Sequence, residues 1–521
     1  MLVVAVSRAG WPAGVAAPPG PFGLWRAVSD DRGWFAALGA SAVGVLAVAF
    51  VALYRRAAEG EVGVATVART GLLWCAPVLV APPLLSLDAY SYIAQGQMLL
   101  SQLDPYTVGP AALGGGPVLD AVSPVWRDTP APYGPLALAV LRLIAQLGDG
   151  NLPATVYLLR LVAVAAVAAT AAVTVRLADP RRRPAALALV VANPLVVLHL
   201  VGGVHLDAAL AGLAAAAVLA VRQRWWLLAG VAAATAFAVK LPGLVLVGYV
   251  LLSQIRANGL LTWRTARTVG VVTAVGGAYT ALVPNGWGWV AALDVPGLIR
   301  HPYDPATLLG WLLHLSTRLV GLPVEFSAAV RLGRGVALAV GAAAVFVLIW
   351  RAAAPRFTQS GAALVGGALA IVALAAPTVH AWYAAWGLAL VAAMATPRAR
   401  WWMVGLSVVL CFTALPEPLL RHRLGIALTV GLLAVSVTGV LATAGPGLLP
   451  GPWRRLLPGS WRRLLPGSWR RLLPGSWQRL LPGPWQRLLP RSWRRVDETT
   501  PAGAVGAPRT DPLSRPGRAA A

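Results

Sequence analysis

Apolar runs of roughly 14–24 residues recur along most of this chain, close to the length a helix needs to cross a bilayer. Such runs fold as helices in lipid because a helix satisfies its own backbone hydrogen bonds where water is absent. A soluble globular enzyme and a disordered chain are both excluded. Only 12% of the 521 residues are charged, against about 25% in a soluble domain. A transmembrane barrel would show short alternating strands, and none is visible. The chain therefore reads as an all-α polytopic membrane protein of about 13 spans, at 34–54, 70–86, 154–177, 185–201, 208–221, 225–239, 243–255, 268–284, 335–350, 361–376, 383–396, 402–415 and 424–443. The shorter runs need support from neighbouring helices.

Arginine orients the spans. Arg55 and Arg56 end the first, Arg181, Arg182 and Arg183 follow the third, and Arg222 and Arg224 follow the fifth. Arg256, Arg264 and Arg267, then Arg351 and Arg356, then Arg398 and Arg400 follow the seventh, ninth and eleventh. Every cluster falls after an odd-numbered span, so all can face the cytoplasm, which puts the N-terminus outside. The net charge of +25 thus reads as topology rather than as nucleic-acid binding. Cys75 and Cys411 lie inside apolar runs and suggest neither disulfide nor metal site. The segment from Met1 to Pro18 carries Arg8 and Trp11 and is not read as a cleavable signal.

The opposite face collects different chemistry, in loops 87–153, 202–207, 240–242, 285–334, 377–382 and 416–423. These loops hold Asp88, Asp104, Asp120, Asp128, Asp149, Asp207, Asp294, Asp304, Glu325 and Glu417, with His205, His301, His314, His380 and His422. Solvated loops carry such residues anyway; their concentration on one side is what suggests a site. The first loop is also long and rich in proline and aromatics, as functional loops often are. From Asp88 to Leu103 it predicts an amphipathic helix lying flat on the membrane, with Asp88, Ser91, Gln95 and Gln102 on one face and Ile93, Leu100 and Leu103 on another. Asp104-Pro105 ends it.

The run DAYSYIAQG, then DPYTVGPAALG, then WRDTPAPYGPL resembles the bacterial polyprenyl-phosphate-mannose-dependent alpha-1,6-mannosyltransferases. These are actinobacterial membrane enzymes of the GT-C superfamily that extend the mannan backbone of lipomannan-type glycolipids. The likeness continues through NPLVVLHLVGGVHLDAAL, AVKLPGL and PTVHAWYAAWGL, and covers roughly residues 30–440. It departs at His205-Leu206-Asp207, where the family often reads His-Asn-Asp. The resemblance implies a GT-C-like transmembrane helix bundle that moves mannose, with inversion, from polyprenyl-phosphate-mannose to a mannoside glycolipid acceptor. It implies no cofactor, and no metal set is apparent in the sequence.

Inverting transfer needs a carboxylate to take the acceptor proton, close to the membrane where the donor phosphate lies. Asp88, one residue beyond a span, meets that demand, and the resemblance assigns it the role of base. An aspartate opening a helix also fits a plain first-turn cap. Lys240, the chain's only lysine, and Arg127 are candidates for the leaving phosphate; a lysine at a span end can equally be a snorkelling one. His205, His380, Asp128, Asp207, Tyr92 and Tyr133 complete the candidate substrate contacts. Trp382, with Tyr383 and Trp386, is placed to stack on sugar or to form an interfacial belt.

From Gly451 the chain repeats nearly every eight residues, with tryptophans at 453, 461, 469, 477, 485 and 493. Proline and glycine in each unit forbid one continuous helix. Short Trp-Arg-Arg-Leu-Leu turns would suit an anionic lipid surface, and tandem duplication without a selected role would leave the same pattern. The organisation expected is an N-terminal segment at 1–33, a catalytic domain at 34–443 with an external catalytic loop at 87–153, a cytoplasmic repeat tail at 444–496 and a disordered end at 497–521. The competing function is a transporter or flippase of lipid-linked sugars. That class calls for internal repeats and ionisable residues near span centres, and the charges here fall at span ends and in loops.

Overall fold

The computed structural model describes residues 32–299, 304–354, 361–413 and 423–444. The octapeptide repeats, the segment after them, Met1 to Asp31, His301, Glu417 and His422 lie outside those residues. Every regular element among the described residues is helical. In chain order the helices are α1 (Arg32–Ala58), α2 (Val64–Leu79), α3 (Asp88–Leu100), the short α4 (Pro117–Ala121) and α5 (Pro124–Arg127), α6 (Pro135–Gly148), α7 (Leu152–Leu177), α8 (Arg183–Val191) and α9 (Asp207–Arg222). There follow α10 (Trp226–Val239), α11 (Leu244–Asn258), α12 (Trp263–Thr280), α13 (Pro305–Leu319), α14 (Phe326–Ala352), α15 (Gly361–Ala375), α16 (Ala385–Met394), α17 (Pro397–Thr413) and α18 (Arg423–Ala444).

Four stretches are singly long and apolar enough to cross a membrane: Gly39–Ala58, Leu152–Leu177, Leu241–Asn258 and Phe326–Ala352. Pro180–Val191 and Val196–Gly202 add a fifth if their pair, bent by 54°, is one span. Several other apolar helices, among them Val64–Leu79, Trp226–Val239 and Gly361–Ala375, have 10–17 residues. A count of 13 would need those shorter helices to span in company. Val340, Phe346 and Trp350 on α14 and Leu72 and Leu73 on α2 are exposed, as side chains facing lipid would be.

Residues 87–153 depart from the expected loop. Most of them are helical, and α3 does not lie on a surface. Ser91 and Gln95, expected on an exposed polar face, are buried, whereas Leu100 is 40% exposed. The reason is α6, which sequence periodicity had left inside the loop. Its run PLALAVLRLIAQLG begins with proline at its first position and packs along α3. Together the two helices bury Tyr90, Tyr92, Ile93, Leu138 and Leu141 in a second apolar core beside the main one.

A second departure is the charge inside a span. Arg160 lies about two turns inside α7 and is 2% exposed. It donates to the carbonyls of Leu79 at 2.9 Å, Ala81 at 2.6 Å, Val201 at 3.2 Å and Gly202 at 3.3 Å. Those carbonyls lie where two irregular segments begin. One leaves α2; the other leaves the π-helical turn Val196–Gly202. The Leu84 amide bonds Gly202 O at 3.0 Å and ties the segments together. Both contain a non-glycine residue in the left-handed region, Leu85 and Val204, each with φ 60°. Such a conformation costs about 1–3 kcal/mol and persists only where the surroundings fix it. Arginine, with five donors in a planar fork, supplies that fixing.

Arg160→Met should therefore lower the unfolding free energy by at least about 3 kcal/mol, since several buried carbonyls lose their donor. Thermal unfolding of the detergent-solubilised protein checks it. Unchanged stability would show that the two segments hold their shape without the clamp.

Candidate active site

The two clamped segments lead directly into charged residues. Three residues past Leu85, Asp88 opens α3; just past Val204 come His205 and then Asp207, which opens α9. A third segment enters where α10 stops. Pro242 and Gly243 force a tight 3-10 turn at Leu241–Gly243, leaving Lys240 extended at φ −159°. A fourth is the turn Ala381–Ala384 ahead of α16, carrying Trp382 and Tyr383 after His380.

Asp207 is fully buried. Its Oδ1 accepts from Lys240 Nζ at 3.0 Å and from the Trp386 indole N–H. The Lys240 ammonium lies 4.5 Å from the ring centre of Tyr383, 5.4 Å from Trp386 and 5.8 Å from Tyr133, within range for cation–π attraction. Burial is the largest single influence and works to lower the Lys240 pKa, but the Asp207 carboxylate with Tyr383 and Tyr133 together outweigh it and hold the ammonium above the ordinary lysine value. Tyr133 reaches this place because Gly134 docks on the end of α10. The Gly134 amide bonds Val239 O at 3.1 Å, and a Cβ at Gly134 would stand 2.2 Å from Ala238 O.

Asp88 retains 17% of its side-chain exposure. Its Oδ1 accepts from Trp126 Nε1 at 3.2 Å, and Ser86 Oγ accepts from its amide at 3.1 Å. Its Oδ2 lies 3.8 Å from His205 Nδ1, which is 3.4 Å from the Tyr92 hydroxyl. Burial pushes the Asp88 carboxyl up to about 6, against the pull of Lys240 and the Trp126 hydrogen bond. Burial, with further pressure from His199, Lys240 and His380, drives the His205 pKa well down, so its imidazole is neutral. His205 stacks on Trp382 at 3.7 Å between ring centres, and His380 stacks on it at 4.6 Å.

The structure thus brings together Asp88, Tyr92, Tyr133, His205, Asp207, Lys240, His380 and Trp382 from the residues singled out by sequence. Two others take different places. Arg127 donates to the backbone carbonyls of Val122 at 3.2 Å and Asp120 at 3.0 Å. Asp128 is exposed at the end of α5. Sequence reasoning missed Trp126 as the partner of Asp88, Arg160 as the clamp beneath the site, and the buried His199, 5.7 Å from Trp382. Trp126 lies inside the WRD run, which marks the segment but not the indole's partner; Arg160 lies inside an apolar run, which gives no signal. Among the described residues, no three His, Cys, Asp or Glu side chains converge as a metal ion would require.

Comparison with known proteins bears on this cluster. The family pattern described as "Alpha-(1->6)-mannopyranosyltransferase, N-terminal domain" matches residues 1–256, and that described as "MptB C-terminal domain" matches residues 306–443. Alpha-(1->6)-mannopyranosyltransferase A of Mycobacterium tuberculosis is 36% identical over 375 residues, covering 68% of this chain and 70% of the relative. A probable alpha-(1->6)-mannopyranosyltransferase of Mycolicibacterium smegmatis is 32% identical over 372 residues, 63% of this chain and 65% of the relative. Alpha-(1->6)-mannopyranosyltransferase B of Corynebacterium glutamicum is 26% identical over 405 residues, 71% and 65% respectively. Asp88, His205, Asp207 and Lys240 fall in the first matched region, and His380, Trp382 and Trp386 in the second.

The ion pair has a distinctive thermodynamic signature. Lys240→Ala strands a buried carboxylate and should destabilise the protein by about 3–5 kcal/mol. Adding Asp207→Asn removes the stranded charge and should recover part of that loss. Thermal unfolding of the single and double variants measures this; simply additive losses would contradict the pairing.

Proposed function

The chain belongs to the alpha-(1->6)-mannopyranosyltransferase family, and from that premise we propose that it transfers mannose from polyprenyl-phosphate-mannose to a mannoside acceptor, with Asp88 as base. As a mannosyltransferase it is a glycosyltransferase that needs a mannose donor and a mannoside acceptor. The lipid-linked donor, the glycolipid nature of the acceptor and the inverting course are our reading. So is a GT-C-like bundle of about 13 spans with its site on the external face and its tail in the cytoplasm.

The observation that carries the reading is the state of Asp88. It is a carboxylate at the start of a buried helix, held by the Trp126 indole and by the Ser86 side chain, partly open, and raised to a pKa of about 6. A base with a pKa near working pH is ionised when needed yet takes a proton readily. In the reaction proposed, Asp88 accepts the proton of the acceptor 6-hydroxyl as that oxygen attacks the anomeric carbon. The bond from that carbon to the phosphate oxygen breaks, and its electron pair leaves on the phosphate. Lys240 is the cation we assign to that developing charge. Asp207 takes one of its N–H groups and Tyr383 engages the ammonium as well, which leaves a donor for phosphate. Tyr92, Tyr133, His205 and His380 then line the sugar-binding space. His205 and His380 both stack on Trp382, so we assign it to ordering the two histidines rather than to stacking on sugar.

The topology carries its own check. A cysteine at position 120, in a variant lacking Cys75 and Cys411, should react with an impermeant maleimide from outside intact cells. Reaction from the cytoplasmic side alone would overturn the orientation.

Asp88→Asn keeps the shape of the side chain but cannot take a proton. Turnover should fall by about 10²–10⁴-fold with donor binding retained. Because the base works only as the carboxylate, transfer by the native protein should decline as pH is lowered through about 6. Labelled donor and a synthetic mannoside acceptor with purified protein provide the assay. Near-normal transfer by a folded Asp88→Asn variant would remove Asp88 as base.

A further inference from the structure

We infer that residues 117–127 form a positioning arm for Asp88, in which the Trp126 indole N–H holds Oδ1 and thereby reserves Oδ2 for the acceptor hydroxyl. This rests on the reading of Asp88 as base. A carboxylate held at neither oxygen swings about its terminal torsion, which is broad and roughly two-fold. One directional donor 3.2 Å away removes that freedom. Trp126 is then a positioning residue, since it acts through Asp88.

The arm is itself tied down. Arg127 reaches back across it to the carbonyls of Asp120 and Val122. The Trp126 amide bonds Ser123 O at 2.9 Å, and Thr129 Oγ1 donates to Trp126 O at 3.3 Å. Beneath the arm the backbone passes at Gly109, where a Cβ would stand 2.5 Å from Arg127 O and from the Asp128 carbonyl carbon. The chain thus runs from Gly109, which permits the close approach, through Arg127, which knots the arm, to the indole on Asp88. Arg127, expected to grip phosphate, has its place here instead.

Other groups also act on Asp88. Lys240 pulls its pKa down, Asp207 pushes it up, and His205, Tyr92, Tyr133 and Tyr383 stand close enough to interact with it. The Trp126 bond favours the charged form, so losing it must raise the pKa.

The test uses the full chain in nanodiscs, with synthetic polyprenyl-phosphate-mannose and an alpha-1,6-linked dimannoside. Trp126→Phe keeps an aromatic ring but removes the N–H together with the pyrrole half of the indole, so a second variant separates the lost hydrogen bond from the lost packing. The expected result is a fall of about 10- to 100-fold in kcat, little change in KM, and an acidic limb of the pH profile displaced to higher pH. Gly109→Ala, which leaves the indole intact but displaces the arm, should move the limb the same way. The double variant Asp88→Asn with Trp126→Phe should be no slower than Asp88→Asn alone, because the indole has nothing left to position. A limb unmoved in folded Trp126→Phe, or losses that multiply in the double variant, would overturn the inference. If Asp88→Asn transfers normally, the reading of the base fails first. If Asp88→Asn is inactive while Trp126→Phe keeps native turnover and limb, the positioning role alone fails.

Discussion

The arrangement of the site depends on one ion pair, between Asp207 and Lys240. A carboxylate with no exposed surface is very costly unless a cation and further donors meet it. Lys240 and the Trp386 indole supply both, and they come from the end of α10 and from α16. The pair thus fixes where α9, α10 and α16 meet. It also reaches Asp88, whose pKa Lys240 lowers and Asp207 raises. Tyr133 and Tyr383 pack around the same ammonium, so two of the rings beside Asp88 are ordered by it too.

Holding that pair in register requires irregular backbone at the ends of apolar helices. Such backbone is tolerated near hydrocarbon only where protein satisfies its polar groups. Arg160 does this for the carbonyls of Leu79, Ala81, Val201 and Gly202. The left-handed Leu85 and Val204 then turn the chain sharply into Asp88 and His205. A similar device recurs farther along. Arg334 of α14 donates to Gly297 O at 2.7 Å and Ile299 O at 2.8 Å, where another irregular segment approaches the helices. In both places arginine, the side chain best able to meet several carbonyls at once, anchors a turn.

Much of the site was legible in the sequence because it follows from local rules. Lys240 stood out as the only lysine, at a span end beside Pro242. Asp88 stood one residue beyond an apolar run, and arginine parity put Asp88, His205, Asp207, Lys240 and His380 on one side. What escaped depends on contacts distant in sequence. Nothing local tells Trp126 from another loop aromatic, because its partner is 38 residues away. Arg160 reads as part of a span because one interior arginine, with Arg176 at the helix end, barely dents the hydropathy of a 26-residue apolar helix. The face of α3 was misread because periodicity shows which side is polar, not what covers it. Once α6 folds against it, Ser91 and Gln95 turn inward.

In the proposed reaction Asp88 takes the acceptor proton through the oxygen that Trp126 leaves open. A cryo-EM structure of the Asp88→Asn variant with a polyprenyl phosphate and a mannoside acceptor tests it most directly. The acceptor 6-hydroxyl should lie within about 3.2 Å of the residue 88 atom that replaces Oδ2, with the lipid phosphate beside Lys240. An acceptor hydroxyl seated instead against Asp128 or another carboxylate, with residue 88 out of reach, would contradict it.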